Sequence, residues 1–232
     1  MNQENITPNQ GKEQENSSLN VGEIVSNSEK FIEKNKKIIT IIISVIVLGI
    51  AAYFLYQSFV VEPREKRVQE ELFAAQKYFE QEDFKKALEG DGKHAGLISL
   101  IEEYGSTKGG SLANYCAGNI YLRQGEYKKA IEHLSAYKGE DKILAQQTKA
   151  LIGDAYVELG QLEKAISNYK DAAKSNNVLT TPFILLKLGQ VYEMQKNNAE
   201  ALNCYKRIKT EFPASQEYRE IEKYISRLEN LQ

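Results

Sequence analysis

The amino-acid sequence predicts an all-α protein: a short solenoid of helical hairpins with a C-terminal capping helix, behind a single N-terminal transmembrane helix. Three observations carry this. A charge-free apolar run of 24 residues lies near the N-terminus, and a glycine–tyrosine–alanine pattern recurs three times in the second half. No alternating valine- or threonine-rich stretch argues for a sheet.

Composition narrows the function classes. Thirty Lys and Arg against 32 Asp and Glu leave a net charge of −2, so no global attraction to nucleic acid or to an anionic surface is built in. Cys116 and Cys204 are 88 residues apart, which is neither a disulfide framework nor a metal cluster. They read as small apolar residues filling helix interfaces.

Residues 1 to about 29 are rich in Asn, Gln, Glu and Ser and show no periodicity, a composition that cannot offset the entropy of ordering. With the basic flank that follows, residues 1–37 are expected to form a disordered polar tail. Asn5 and Asn16 head Asn-x-Ser/Thr triplets, which such a composition produces by chance.

The stretch "IITIIISVIVLGIAAYFLYQSFVV", residues 38–61, contains no charge. As a helix it extends about 36 Å, enough for a hydrocarbon core of about 30 Å. Lys34, Lys36 and Lys37 fence one end; Glu62, Arg64, Lys66 and Arg67 fence the other. Tyr53, Phe54, Tyr56 and Phe59 gather where an aromatic belt would sit. A cleaved signal peptide has a shorter apolar core and a small-x-small site after it, and here "EPREKR" follows. A helix buried in a soluble core is rarely apolar all round. Within 15 residues of the run, four lysines (Lys30, Lys34, Lys36, Lys37) precede it and three basic residues (Arg64, Lys66, Arg67) follow it. Four against three favours a cytoplasmic N-terminus.

From Pro63, a residue suited to the first turn of a helix, the chain reads as helix after helix. Val68, Leu72, Ala75 and Phe79 form an apolar stripe. Farther on, "GNIYLRQGEYKKAIEHL", "GDAYVELGQLEKAISNY" and "GQVYEMQKNNAEALNCY" align from Gly118, Gly153 and Gly189. Tyr121, Tyr156 and Tyr192 follow at +3, and Ala130, Ala165 and Ala201 at +12. The last aligned position is Leu134, Tyr169 or Tyr205. Gly125 and Gly160 supply permissive backbone at the turn between two helices. The glycine and the facing alanine are expected to let the helices approach, with the +3 tyrosine filling the wedge between them.

A fainter copy, "AQKYFEQEDFKKALEGD", holds Tyr78 and Ala87 in register. Tyr78 to Tyr121 is 43 residues, and the surplus sits at "GDGKHAG", residues 90–96. Residues 62–110 therefore predict a juxtamembrane helix and a divergent first hairpin whose second helix is interrupted by a glycine-rich loop. "GDGK" lacks the spacing and the preceding strand of a phosphate-binding loop. Residues 111–214 predict three regular repeats. In residues 215–232, Tyr218, Ile221, Ile225 and Leu228 share one face, as a capping helix requires.

These repeats resemble the tetratricopeptide repeat, a helix-turn-helix with Gly, Tyr, Ala, an aromatic and a late Pro at these offsets. Pro213 falls 24 residues after Gly189, where that family places its proline. The early Trp of the family is missing, and Tyr137 and Ile208 replace a small residue that the middle repeat keeps as Ala172.

No catalytic or metal-binding constellation can be assembled, and no cofactor or small-molecule substrate is expected. His94 lies in the glycine loop and His133 on a polar helix flank, both reading as solvated surface histidines. Polar tail, single span and short array together resemble the membrane-anchored family that includes the ancillary subunit of the bacterial Sec translocon. That resemblance implies a single-pass protein of the inner membrane with a cytoplasmic N-terminus and a periplasmic array. It implies a non-enzymatic interaction scaffold that docks on an envelope complex such as the translocon. A chaperone-like holder of unfolded secreted chains and a regulator of cell-wall or division enzymes are the alternatives.

The repeat family also implies a concave groove lined by the first helices of successive hairpins. The matching positions are Leu112, Tyr115, Asn119, Leu122 and Arg123, then Gln147, Ala150, Asp154, Val157 and Glu158, then Phe183, Leu186, Gln190, Glu193 and Met194. An apolar rim around an acidic middle would suit an extended or helical segment with apolar anchors and a basic residue.

Overall fold

A computed structural model describes the backbone of residues 21–230 and the side chains of residues 32–230. The chain divides into two units, Met1–Tyr56 and Gln57–Gln232.

In the first unit, helix α1 runs Val21–Tyr56. The expectation of a disordered tail through residue 37 is thus corrected for residues 21–37, which are helical; residues 1–20 lie outside the described residues. A helix nucleated by the apolar run grows by one hydrogen bond per added residue, so a proline-free polar flank can continue it. Along residues 38–56 the apolar side chains other than Ile39 stand exposed, Leu48 by 68 %. Among the described residues this is the one helix long and apolar enough to cross a membrane. Its hydroxyl at Thr40 is satisfied within the helix, donating to the Lys36 carbonyl at 2.8 Å.

The second unit begins with a π-helical segment, Gln57–Val61, followed among the described residues by ten α-helices and a 3-10 turn, Ala173–Ser175, after the seventh of them. They are α2 (Glu62–Glu80), α3 (Phe84–Glu89), α4 (Leu97–Tyr104), α5 (Lys108–Arg123), α6 (Tyr127–Ala136), α7 (Lys142–Glu158), α8 (Leu162–Ala172), α9 (Thr181–Met194), α10 (Asn198–Glu211) and α11 (Tyr218–Glu229). Hairpins α5–α6, α7–α8 and α9–α10 each pack internally and against the next, and α11 closes the stack on α10. Ile221, Ile225 and Leu228 of α11 are buried, as a cap requires.

Four turns share one geometry. Glu82, Gly125, Gly160 and Lys196 all have left-handed φ, between 59° and 77°. After each, the next residue's N–H returns to the carbonyl of the in-register tyrosine: Asp83 to Tyr78, Glu126 to Tyr121, Gln161 to Tyr156 and Asn197 to Tyr192, each at 2.9 Å. This is the six-to-one bond of a Schellman cap. The divergent first copy therefore turns like the other three. Its second helix stops after six residues at Gly90, and the loop to α4 folds around Asp91. That carboxylate accepts from the His94 and Lys93 N–H groups and from the Tyr78 hydroxyl. Those bonds hold Asp91 well below the usual carboxylate range.

The glycines do bring the helices together, but the group that fills the space beside them is the +16 residue rather than the +3 tyrosine. A Cβ on Gly153 would meet the Tyr169 ring at 2.8 Å, one on Gly189 the Tyr205 ring at 2.3 Å, and one on Gly118 Leu134 Cγ at 2.6 Å. Ala130, Ala165 and Ala201 are fully buried (0 % exposed). Of the +3 tyrosines expected to fill the wedge, only Tyr192 is buried; Tyr121 and Tyr156 are half-buried. Lys129 lies over the Tyr121 ring and Lys164 over Tyr156. Pro213 occupies the turn after α10 and is exposed.

Candidate interaction groove

Helices α5, α7 and α9, the first helix of each regular hairpin, line two adjoining hollows. The first holds about 460 Å³ between Tyr115 and Asn119 of α5, Gln147, Ala150 and Asp154 of α7, and Phe183 and Lys187 of α9. The second, of about 410 Å³, is lined by Leu122, Tyr127, Val157, Glu158, Gln190 and Met194. Asp154 and Lys187 line both and divide the groove in two.

Four sequence-expected positions point elsewhere. Leu112 packs on the core beneath α5, and Leu186 on the core around α9. Arg123 reaches back to the first hairpin, its guanidinium 4.9 Å above the Phe79 ring and 4.0 Å from Glu82. Glu193 accepts from the Tyr205 hydroxyl at 2.5 Å and from Arg227 of α11 at 2.6 and 2.7 Å.

The acidic middle is also corrected. Lys187 Nζ donates to both Asp154 carboxylate oxygens at 2.7 Å, and the Tyr169 hydroxyl donates to Oδ1 of the same carboxylate. Asp154 therefore ties its own hairpin to the next, as Glu193 does one repeat later. Burial, then the adjacent carboxylate, pushes the Tyr169 and Tyr205 hydroxyls well above the usual tyrosine range, so both stay protonated donors. A basic residue on a partner would find Asp154 already paired; Glu158 is exposed and accepts from the Tyr127 hydroxyl at 3.2 Å.

The groove has a lip that periodicity did not reveal. Leu179, in the loop before α9, lines the first hollow and is 80 % exposed. Its position is set by polar side chains beneath it. Asn177 Oδ1 accepts from the N–H groups of Leu179 and Thr180 at 2.9 and 3.2 Å. The buried amide of Gln146 accepts from the Thr180 hydroxyl at 2.7 Å and donates to that of Thr181 at 3.1 Å. Phe183, 48 % exposed, follows one turn into α9 with Lys187 Nζ 4.7 Å from its ring centre. Two adjacent apolar residues inside the polar loop "NNVLTT" were the available signal.

His133 is not a solvated surface histidine. Its ring stacks on Tyr121 at 5.2 Å and bonds the Asn114 side-chain oxygen at 3.0 Å, and its burial lowers its pKa. His94 is exposed, 3.2 Å from Glu71. Cys116 and Cys204 are buried free thiols, pushed by burial up to about 11 and about 12, which leaves them inert as nucleophiles near neutral pH.

Two family models fit this sequence. One, described as a tetratricopeptide repeat-like domain, matches residues 63–193, and one for the tetratricopeptide repeat matches residues 184–215. The chain belongs to the tetratricopeptide repeat-like family. The longer match begins at Pro63 and so takes in the divergent first hairpin. Comparison with curated proteins returns no match. Stacked helical repeats of this kind present extended concave surfaces to protein partners, and tetratricopeptide repeats suggest a protein–protein interaction scaffold.

Proposed function

We propose that the protein is a non-enzymatic scaffold tethered by residues 38–61 to a bacterial inner membrane, its N-terminus cytoplasmic and its repeat array periplasmic. The array is an adaptor docking onto an envelope complex such as the Sec translocon. One observation supports this most: exposed apolar side chains are held ready on a polar frame. Leu179 is 80 % and Phe183 48 % exposed, and Asn177 and Gln146 hold the loop that carries Leu179 and leads into the first turn of α9, where Phe183 sits. Binding then costs little further ordering at the positions that contribute most. The groove takes an extended or helical segment of another protein with apolar anchors, one in each hollow on either side of the Asp154–Lys187 pair.

The test is co-purification from solubilised membranes with the variant Leu179→Ser/Phe183→Ser/Met194→Ser. These side chains are exposed, so helicity should be retained while recovery of the partner falls by at least about ten-fold. Full recovery of the partner on a folded variant would remove the groove from the account. An adaptor yields one stoichiometric partner, whereas a holder of unfolded chains yields many.

A further inference from the structure

Outside the groove, the π-helical segment, the first turns of α2 and the end of α4 enclose a separate hollow of about 300 Å³. Phe59, Val60 and Pro63 give it an apolar wall; Arg64, Arg67, Glu103 and Tyr104 give it a polar one. Phe59 is 76 % exposed. Arg64 Nη2 donates to the Glu103 carbonyl at 2.9 Å, with its guanidinium 5.8 Å from the Tyr104 ring centre. Arg67 and Tyr104 line the hollow beside it. The Arg64 guanidinium is thus positioned, and among the described residues neither arginine has a carboxylate as ion-pair partner. Of the nearby acids, Glu65 accepts from the Lys108 and Gly109 N–H groups at 2.6 and 3.1 Å, and Glu103 lines the hollow. Glu62 is exposed.

We propose that this hollow holds an anionic phospholipid, its phosphate on Arg64 and Arg67 and its glycerol–acyl region against Phe59 and Val60. The proposal rests on reading residues 38–61 as a membrane span. Arg64 and Arg67 then follow the last residue of the uncharged run, Val61, by three and six positions, the depth of the headgroups. A guanidinium matches the planar, two-oxygen face of a phosphate better than an ammonium does, and its weaker hydration lowers the cost of the contact. Apolar and cationic walls side by side match an amphiphile rather than free phosphate.

The test begins with flotation of the full chain with phosphatidylcholine vesicles; failure to float overturns the membrane reading and the site with it. The floating protein is then taken into detergent with equal phosphatidylglycerol or phosphatidylcholine, and retained lipid is counted by native mass spectrometry. The wild type should retain one phosphatidylglycerol in preference to phosphatidylcholine. Each arginine near an anionic lipid is worth roughly five-fold, so Arg64→Gln/Arg67→Gln should lower retention on the order of twenty-fold. Arg64→Lys/Arg67→Lys should keep much of it, and Lys34→Gln/Lys36→Gln/Lys37→Gln should leave it unchanged. Equal retention of both lipids by the wild type, or loss with the lysine variant instead of the arginine variant, overturns the site while leaving the span in place.

Discussion

Substituting Gly189 by alanine sets two physical effects against each other. In an exposed helix interior the change is stabilising by about 1 kcal/mol. Here the new Cβ would lie 2.3 Å from Tyr205 Cε1 and 2.7 Å from its Cζ, against an optimal carbon–carbon separation of about 3.5–4.0 Å. The ring has nowhere to go. Tyr205 is 0 % exposed, its hydroxyl is 2.5 Å from Glu193, and Arg227 grips that carboxylate from α11. Overpacking a fixed site costs about 1–3 kcal/mol, and a contact this short belongs at the upper end. After subtracting the propensity gain, Gly189→Ala should destabilise the array by roughly 1–2 kcal/mol, lowering its Tm by about 2–8 °C. Gly153→Ala, with its nearest ring atoms at 2.8 to 3.0 Å, should cost less. The assay is thermal unfolding of the full chain in detergent, followed by circular dichroism at a helical band. A rise in Tm for Gly189→Ala would refute the packing assigned to the glycine–tyrosine pair.

Two turns keep a non-glycine residue in left-handed backbone, Glu82 and Lys196, both at φ 59°. Replacing either by glycine relieves a cost of about 1–2 kcal/mol and should raise Tm, whereas Gly160→Ala should lower it; the same melting experiment decides. His133 gives a pH dependence. Burial lowers its folded pKa below the unfolded value, so at mildly acidic pH the unfolded chain binds more protons than the folded one. Its contribution to stability is fully present above the unfolded pKa of about 6.5 and is lost as pH falls from there towards the folded value. Melting curves at pH 7.5 and 5 should separate less for His133→Gln than for the wild type, and equal separation would contradict the buried setting. An alkaline-phosphatase fusion after Gln232 should be active, as a periplasmic C-terminus requires; inactivity with an active cytoplasmic reporter at the same place would reverse the orientation.

The hairpin fold could be read because its signals are local. A glycine, a tyrosine three residues on and a permissive turn residue recur at a fixed period, and each acts within a few residues of chain. What could not be read depends on contacts between repeats. Tyr169 and Tyr205 were visible as the last aligned aromatics, yet their role as the filler against Gly153 and Gly189 follows only once both helices are placed. Asp154 looked like a free charge in the groove because its partner Lys187 is 33 residues away. His133 looked solvated for the same reason, Asn114 and Tyr121 lying on the preceding helix. Leu179 escaped because a periodic template has no place for a loop residue. The helical start at Val21 escaped because helix growth depends on the apolar neighbour rather than on the polar residues themselves.

If the concave face of the array, and not some other exposed apolar residue, meets a protein partner, cross-linking must be confined to the groove. A photo-crosslinking phenylalanine derivative placed at Phe183, in intact membranes, tests this directly when compared with the same group at Phe73. Phe73 is 72 % exposed on α2, outside both hollows, and so controls for exposure. Phe183 should yield one dominant cross-linked membrane-complex protein, identified by mass spectrometry, and Phe73 little. Equal products from both positions, or products from Phe73 alone, would contradict it.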